Sequence, residues 1–264
     1  MKSSWPTYNM WYDELSVHQE LQEKIKLYRY MSFEKFKLLL DKSKLFFAKA
    51  SVLSDRIEGR YIFPEIAKEF LEYKNNTFVS CWTKNNPLNK SSLFLWELYD
   101  QEKDYVAIEI SIDHFFSGLF QDKKFEKYLG KINYLDPDNV IYPEKYKANS
   151  LVPFFLKRNH FKYEKEIRIL IQDMDSKGPS SFKVGKKSKG IPVSIDLEKI
   201  SEIIISPRAE YSFYGKVHHL VRNAGLDTNI LRVAMPLDMD SGKISAKVEC
   251  ISNYNNRRLD RLKI

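Results

Sequence analysis

Tyr163-Glu164-Lys165-Glu166-Ile167-Arg168-Ile169-Leu170-Ile171 is the stretch on which the reading of this chain turns. Alternation along a strand puts Glu164, Glu166 and Arg168 on one face and Lys165, Ile167, Ile169 and Ile171 on the other. The three isoleucines make a core face. The opposite face sets two carboxylates roughly 7 Å apart, in step with an Arg. Like charges on neighbouring same-face positions repel, so this face suits a ligand better than it suits folding. A solvated strand face with a Glu166–Arg168 contact is the plainer alternative.

Outward from this strand, short strands and helices follow one another irregularly. Upstream, residues 11–25 read as an amphipathic helix, Lys26–Met31 as a strand, and 33–41 as a helix with Ser32 as its N-cap. Leu45-Phe46-Phe47 opens a second strand. A loop from Ser51 to Gly59 follows it, then a helix over about 63–74. Thr77–Trp82 and Tyr105–Ile112 read as strands on either side of a helix holding Leu93, Leu95, Trp96 and Tyr99. Lys131–Leu135 reads as a strand, and an apolar helix around 151–160 feeds the Glu-rich strand. Further strands fall at 191–195, 201–206 and 228–234, with a helix at 210–224 ending at Gly225. This order predicts an α+β fold with a central mixed or split β-sheet flanked by helices. Residues 1–25 form an N-terminal helical extension, 26–235 the α+β domain and 236–264 a C-terminal basic tail.

The 264 residues are 43% hydrophobic and 14% aromatic, enough for a sizeable core. Asp13 and Glu14 interrupt the only place an apolar run could start, so no secretory signal is expected. No apolar stretch nears the ~20 residues a spanning helix needs. Two cysteines, Cys81 and Cys250, exclude a disulfide framework, and a reducing cytoplasm is the economical compartment. The net charge of +8 favours a polyanionic partner or an anionic substrate. Its denser spots are a turn at Lys186, Lys187 and Lys189 and the tail residues Arg257, Arg258, Arg261 and Lys263. A solvated turn and a loose tail explain both more simply than a dedicated nucleic-acid groove does.

Several polar residues sit where a core strand prefers apolar ones. Arg29 lies between Leu27 and Met31 on one strand face, with Tyr28 and Tyr30 opposite. A guanidinium there is costly to bury without an anion, and its fork matches a phosphate or carboxylate. An internal ion pair would satisfy it as well. Ser80 lies between Phe78 and Trp82; bonding to backbone is its ordinary role. Cys81 reads as a small core residue, and Asp55 and Glu58 as turn and cap residues. His114, His160, His218 and His219 show no metal-ligand spacing with the cysteines, so no metal is expected. Gly185 to Gly190 lacks the spacing of a phosphate-binding loop.

The order of Leu27-Tyr28-Arg29-Tyr30, Leu45-Phe46-Phe47, Ser54-Asp55-Arg56-Ile57-Glu58-Gly59 and Val79-Ser80-Cys81-Trp82 resembles a bacterial family catalogued as a domain of unknown function. Leu95-Trp96-Glu97-Leu98-Tyr99, Val106-Ala107-Ile108-Glu109, Tyr163 to Arg168 and Ile203-Ile204-Ile205-Ser206-Pro207-Arg208 continue the resemblance. The turn departs from the pattern at Arg56-Ile57, and Tyr105 stands where a Gly is common. Arg29, Ser80 and Glu164-x-Glu166, on an early, a middle and a later strand, also resemble the Arg–Ser–Glu series of ADP-ribosyltransferases.

That resemblance implies an enzyme that takes NAD as substrate on a split α+β sheet and needs no metal. Glu166 would stabilise the positive charge that develops on the ribose, and Glu164 would position or deprotonate the acceptor. Arg29 would clamp the pyrophosphate or ribose, Ser80 would brace the ribose or orient Glu166, and Arg168 would orient the carboxylates or touch a phosphate. Tyr28, Tyr30 or Trp82 would stack on the nicotinamide. The acceptor would be nucleic acid or an acidic protein surface, in a toxin, an anti-phage factor or a regulatory modifier. Two other readings stay open. Pro137-Asp138 with Glu166-Ile167-Arg168 imitates the Asp…Glu-x-Lys pattern of a metal-dependent nuclease, with Arg in place of Lys. A non-catalytic nucleic-acid or protein-binding module would leave the Glu-rich strand solvated.

Overall fold

Seven residues from Glu166 to Gln172 form one extended strand, and six of them are buried. A strand with both faces covered belongs in the middle of a sheet. In the computed structural model, residues 25–53, 55, 58–59, 73–100, 104–116, 118–121, 127–136, 151–172, 174–175, 178–179, 188–234 and 247–250 are described. Their contacts divide into two compact units. One takes in Leu45–Trp82 and Asp122–Val193; the other takes in Lys24–Lys44, Thr83–Gln121 and Ser194–Ile264.

The described strands, in chain order, are β1 (Lys26–Ser32), β2 (Lys44–Lys49), β3 (Thr77–Thr83), β4 (Tyr105–Ser111), β5 (Lys127–Lys131), β6 (Asn133–Leu135) and β7 (Leu156–Arg158). They continue with β8 (Glu166–Gln172), β9 (Met174–Asp175), β10 (Gly178–Pro179), β11 (Gly190–Ser194), β12 (Glu202–Ile205), β13 (Asn229–Ala234) and β14 (Lys247–Cys250). The α-helices are α1 (Phe33–Lys42), α2 (Leu93–Tyr99), α3 (Ile112–Phe116) and α4 (Tyr211–Asn223).

In the first unit the strand order is β11-β2-β3-β8-β5. β2 and β3 run antiparallel, as do β5 and β8, where Gly130 faces Arg168. Phe154, Phe155, Val79 and Leu170 pack together beside this sheet. Each such buried side chain contributes roughly 1.5–3 kcal/mol relative to exposure. Gly130 is required there, because a Cβ would run into the Phe155 ring.

In the second unit β1, β4, β12, β13 and β14 form a mixed sheet. β12 and β13 are parallel and the other three pairings antiparallel. Val106, Ile108, Ile110, Ile203 and Ile205 are fully buried. α1 buries Phe36, Leu39 and Leu40, the stripe that its sequence spacing predicts. It ends at Ser43, whose φ of 49° turns the chain into β2. α4 buries Phe213, Tyr214, Val217 and Val221, and Gly225 with φ +72° follows its end.

The architecture is α+β, as the irregular alternation of elements implied. One local expectation is overturned. Residues 151–160 do not form one helix but a 3₁₀ turn (Val152–Phe155), then β7, then a second 3₁₀ turn (Asn159–Glu164). Pro153 fits only the first turn of a helix, and Leu156–Arg158 extend to pair in parallel with β6. The expected helix at 11–25, the turn at Lys186 and Lys187, Pro137-Asp138 and Arg56-Ile57 lie outside the described residues. So do most of the helix expected over 63–74 and most of the basic tail. Residues 73–76 are helical.

Candidate active site

Glu164 and Glu166 do not alternate along one strand. Glu164 closes the 3₁₀ turn, Lys165 adopts the left-handed conformation (φ 45°, ψ 48°), and β8 starts at Glu166. The turn brings both carboxylates to a single ammonium. Lys157 Nζ of β7 donates to Glu164 Oε2 at 2.7 Å and to Glu166 Oε2 at 3.0 Å. It also lies 3.7 Å from Glu58 Oε1.

Arg168 stands two residues along β8 and folds back on Glu166 with its planar fork. Nε donates to Oε1 at 2.6 Å and Nη2 to Oε2 at 3.1 Å. Its remaining directions reach Glu58 Oε1 and, at 2.8 Å, the Phe154 carbonyl. Tyr134 Oη accepts from the Glu166 backbone N–H at 2.8 Å. Alongside, Arg158 Nε lies 2.8 Å from Asp55 Oδ1. Phe161 lies over both cations, its ring centre 4.7 Å from Lys157 Nζ and 5.6 Å from the Arg158 guanidinium. Every one of these residues belongs to the first unit.

Arg168 is 1% exposed and Glu166 4%, so the strand face expected to be open or solvated is interior. The Glu166–Arg168 contact of the plainer reading is present, but dry. Burying charges in this number is costly even when they are paired. Three carboxyl groups (Glu58, Glu164 and Glu166) share two cations (Lys157 and Arg168), so the network carries one carboxyl more than its cations match. Folding alone is often served as well by apolar residues of the same volume, so the cluster is a candidate functional site.

The two neighbouring carboxyls are driven apart electrically. Burial pushes Glu166 up, but Arg168 and then Lys157 outweigh it and hold its pKa at about 2. Burial also pushes Glu164 up; Lys157 opposes this only in part, and the nearby Glu166 and Glu58 add to it, so Glu164 lies above its ordinary value. Burial works against the charge on Lys157, yet Glu166 and Glu164 raise it above the usual lysine range. Burial, with Glu166 beside it, pushes the Cys81 thiol far up, which suits a packing residue. A carboxylate locked in its ionised form beside a carboxyl of raised pKa is the pattern by which one site holds charge and moves a proton.

The structure brings Glu164, Glu166 and Arg168 together. Ser80 lies on β3. Ser80 Oγ is fully buried and accepts from Trp82 Nε1 at 2.9 Å. Alternation along β3 turns both away from the face of Cys81, the residue that meets Glu166. Trp82, 2% exposed, is a core side chain. Arg29 and Tyr30 lie on β1 in the second unit, where Arg29 pairs with Ile108 of β4. The Tyr30 ring packs edge-on to Trp96 at 4.6 Å and stacks on Tyr99 at 5.5 Å.

Lys157, Tyr134 and Phe161 join the cluster without standing out in the sequence, and so do Asp55 and Glu58, which read there as turn and cap residues. Glu58 does close a turn on the Asp55 carbonyl at 3.1 Å, while its carboxylate points inward to Arg168. The available signal was the Lys157-Arg158 pair inside the apolar run from Leu151 to Phe161. Among the described residues, no group of three or more His, Cys, Asp or Glu is placed to hold a metal. No described helix is long and apolar enough to cross a membrane.

No protein-family model and no curated protein matches the chain, so the family membership implied by its eight motifs stands on those motifs alone. Among solved structures the chain is similar to DarT of Thermus sp. 2.9. The complex with ADP-ribosylated ssDNA matches at 9% identity, covering 79% of this chain and 93% of that one, with a TM-score of 0.38. The complex with NAD+ matches at 10% identity, 79% and 94% coverage and a TM-score of 0.37. The complex with carba-NAD+ matches at 9% identity, 79% and 95% coverage and a TM-score of 0.37. An overlap of this size carries no residue role from one chain to the other.

Proposed function

We propose that the ion cluster of the first unit is the reaction centre of an ADP-ribosyltransferase-like enzyme that cleaves the nicotinamide–ribose bond of NAD. The observation that carries this reading is the pair Glu164 and Glu166, held on one lysine ammonium with their acidities pushed in opposite directions. When the C–N glycosidic bond breaks, its electron pair leaves with nicotinamide and positive charge develops at the ribose carbon. Glu166, fixed as a carboxylate by Arg168, stabilises that charge without reorganising. Glu164 takes the proton from the acceptor as its oxygen or nitrogen closes the new bond to ribose. Arg168 is a positioning residue.

We take the Lys157 side of the cluster as the approach for the reactants. Arg168 and Glu166 are the most enclosed members, whereas the Lys157 side chain is 11% exposed and lies beneath Phe161. Phe161 neighbours His160 at 4.2 Å and Tyr163 at 6.5 Å, and Tyr163 is 42% exposed. This rim of rings supplies planar surface for nicotinamide or an acceptor base. The net charge of +8 favours an acceptor in nucleic acid or on an acidic protein surface, the targets of toxins and anti-phage factors.

Release of nicotinamide from NAD, with single-stranded DNA, RNA or an acidic protein as acceptor, tests the reading. Wild-type protein should release it, and Glu166→Gln should be slower by about a hundredfold or more, the scale for losing one electrostatic stabiliser. Equal rates in the two proteins, or no release with any acceptor, would overturn the proposal.

A further inference from the structure

We propose that the cleft between α1 and α4, in the second unit, binds a nucleotide-sized anion: a phosphate group carried on a planar, apolar-faced body. This inference is independent of the reaction assigned to the first unit. The cleft encloses about 650 Å³, within the range of sites that hold small ligands. Its floor is apolar, made by Phe33 and Leu40 of α1 and Leu220 of α4. Phe33 is held edge-on against Phe213 at 5.2 Å, which fixes the ring where it lines the cleft.

Each helix contributes one lysine to the cleft. Lys37 of α1 and Lys216 of α4 line it, and both are exposed. Each helix already buries its own apolar stripe, so neither ammonium is needed for packing. Two lysines lining one cleft with Phe33, Leu40 and Leu220 match a phosphate joined to a flat body. The remaining polar groups suit the other end of such a ligand. Asn223 Nδ2 donates to His219 Nε2 at 3.0 Å, which leaves the amide oxygen to act as an acceptor. Asp41 adds a carboxylate. These acceptors repel phosphate, but they can take the hydroxyl and amino hydrogens of a sugar and base. The sorting of donors and acceptors therefore favours a mononucleotide over a bare anion.

Calorimetric titration with adenosine monophosphate, adenosine and inorganic phosphate tests the proposal. The background is the full chain carrying Glu166→Gln, so that the first unit's proposed chemistry does not enter the signal. Adenosine monophosphate should bind, with adenosine and phosphate each weaker by about tenfold or more, since each keeps half of the contacts. Lys37→Ala with Lys216→Ala should weaken the mononucleotide by about tenfold and leave adenosine nearly unchanged. These exposed substitutions keep the fold, and an unchanged thermal midpoint verifies that. Leu220→Trp, filling the floor, should weaken both. The proposal is overturned if adenosine monophosphate does not bind, if phosphate alone binds as tightly, or if the double variant binds like its parent.

Discussion

Arg168 Nε lies 2.6 Å from Oε1 of Glu166, two residues earlier on the same face of β8, and both side chains are inside the protein. Neighbours on one strand face ordinarily point outward side by side. Here the guanidinium turns back along the strand and grips the carboxylate at two points, then ties in Glu58 and the Phe154 carbonyl. Arg168→Ala would leave Glu166 and Glu58 buried without that partner. Losing one member of a buried ion pair typically costs about 3–5 kcal/mol, so urea unfolding should show a loss of that size. Arg168→Lys keeps the charge and loses the fork, and should recover only part of the loss.

The pH dependence of stability should follow Glu166. Its folded pKa of about 2 lies below the ordinary 4.5. A depressed carboxyl stabilises the fold above the unfolded value and loses that contribution as pH falls toward the folded one. The window is therefore pH 4.5 down to 2, and the contribution on the order of 3 kcal/mol. Glu164 works in the opposite sense, because its folded pKa is raised: ionising it as pH rises above its ordinary value costs stability. Chemical unfolding of wild type between pH 2 and pH 7 should thus lose stability most steeply at the acid end. Glu166→Gln should flatten that slope. In nicotinamide release, the acid limb should lie above the ordinary carboxylate range and vanish in Glu164→Gln.

How much of this was legible in the sequence differs from element to element. The periods of Phe36, Leu39 and Leu40, and of Phe213, Val217 and Val221, announce α1 and α4, because amphipathic periodicity is local. The isoleucines of β8 announce a core strand for the same reason. That its polar face would also be interior was not legible, since the partners of Arg168 and Glu166 are Glu58 and Lys157. The first comes from 110 residues away and the second from a strand hidden in an apolar run. The alternation of Glu164 with Glu166 failed because Lys165 breaks the strand with a positive φ, and nothing about a lysine signals that conformation. Ser80 was placed correctly on its strand face; which face meets Glu166 depends on how β3 and β8 pair.

The left-handed turn at Lys165 should be separable from its side chain. Lys165 is exposed, and its φ of 45° costs a non-glycine residue about 1 kcal/mol. Lys165→Gly removes that cost while keeping the turn, so thermal unfolding should show equal or slightly higher stability. Lys165→Val cannot adopt the conformation without greater strain, and should destabilise by about 1–2 kcal/mol. In nicotinamide release, Val should also slow the reaction more than Gly, because only Val disturbs how Glu164 reaches Lys157.

Glu202 of β12 faces Glu109 of β4 directly across an antiparallel pair in the second unit, and like charges at such positions repel. Lys26 lies 2.9 Å from Glu109 Oε1 and so answers one of the two carboxylates. Burial first, and Glu109 second, raise the pKa of Glu202. A raised carboxyl is favourable while protonated and becomes a cost as pH climbs through its folded pKa. Glu202→Gln removes the charge and keeps the size. The variant should therefore melt higher than wild type at pH 7, and the difference should shrink as the pH is lowered below the ordinary carboxylate range. If Glu109→Gln instead melts lower, because it abandons Lys26, the asymmetry assigns the paired role to Glu109 and the repelled one to Glu202.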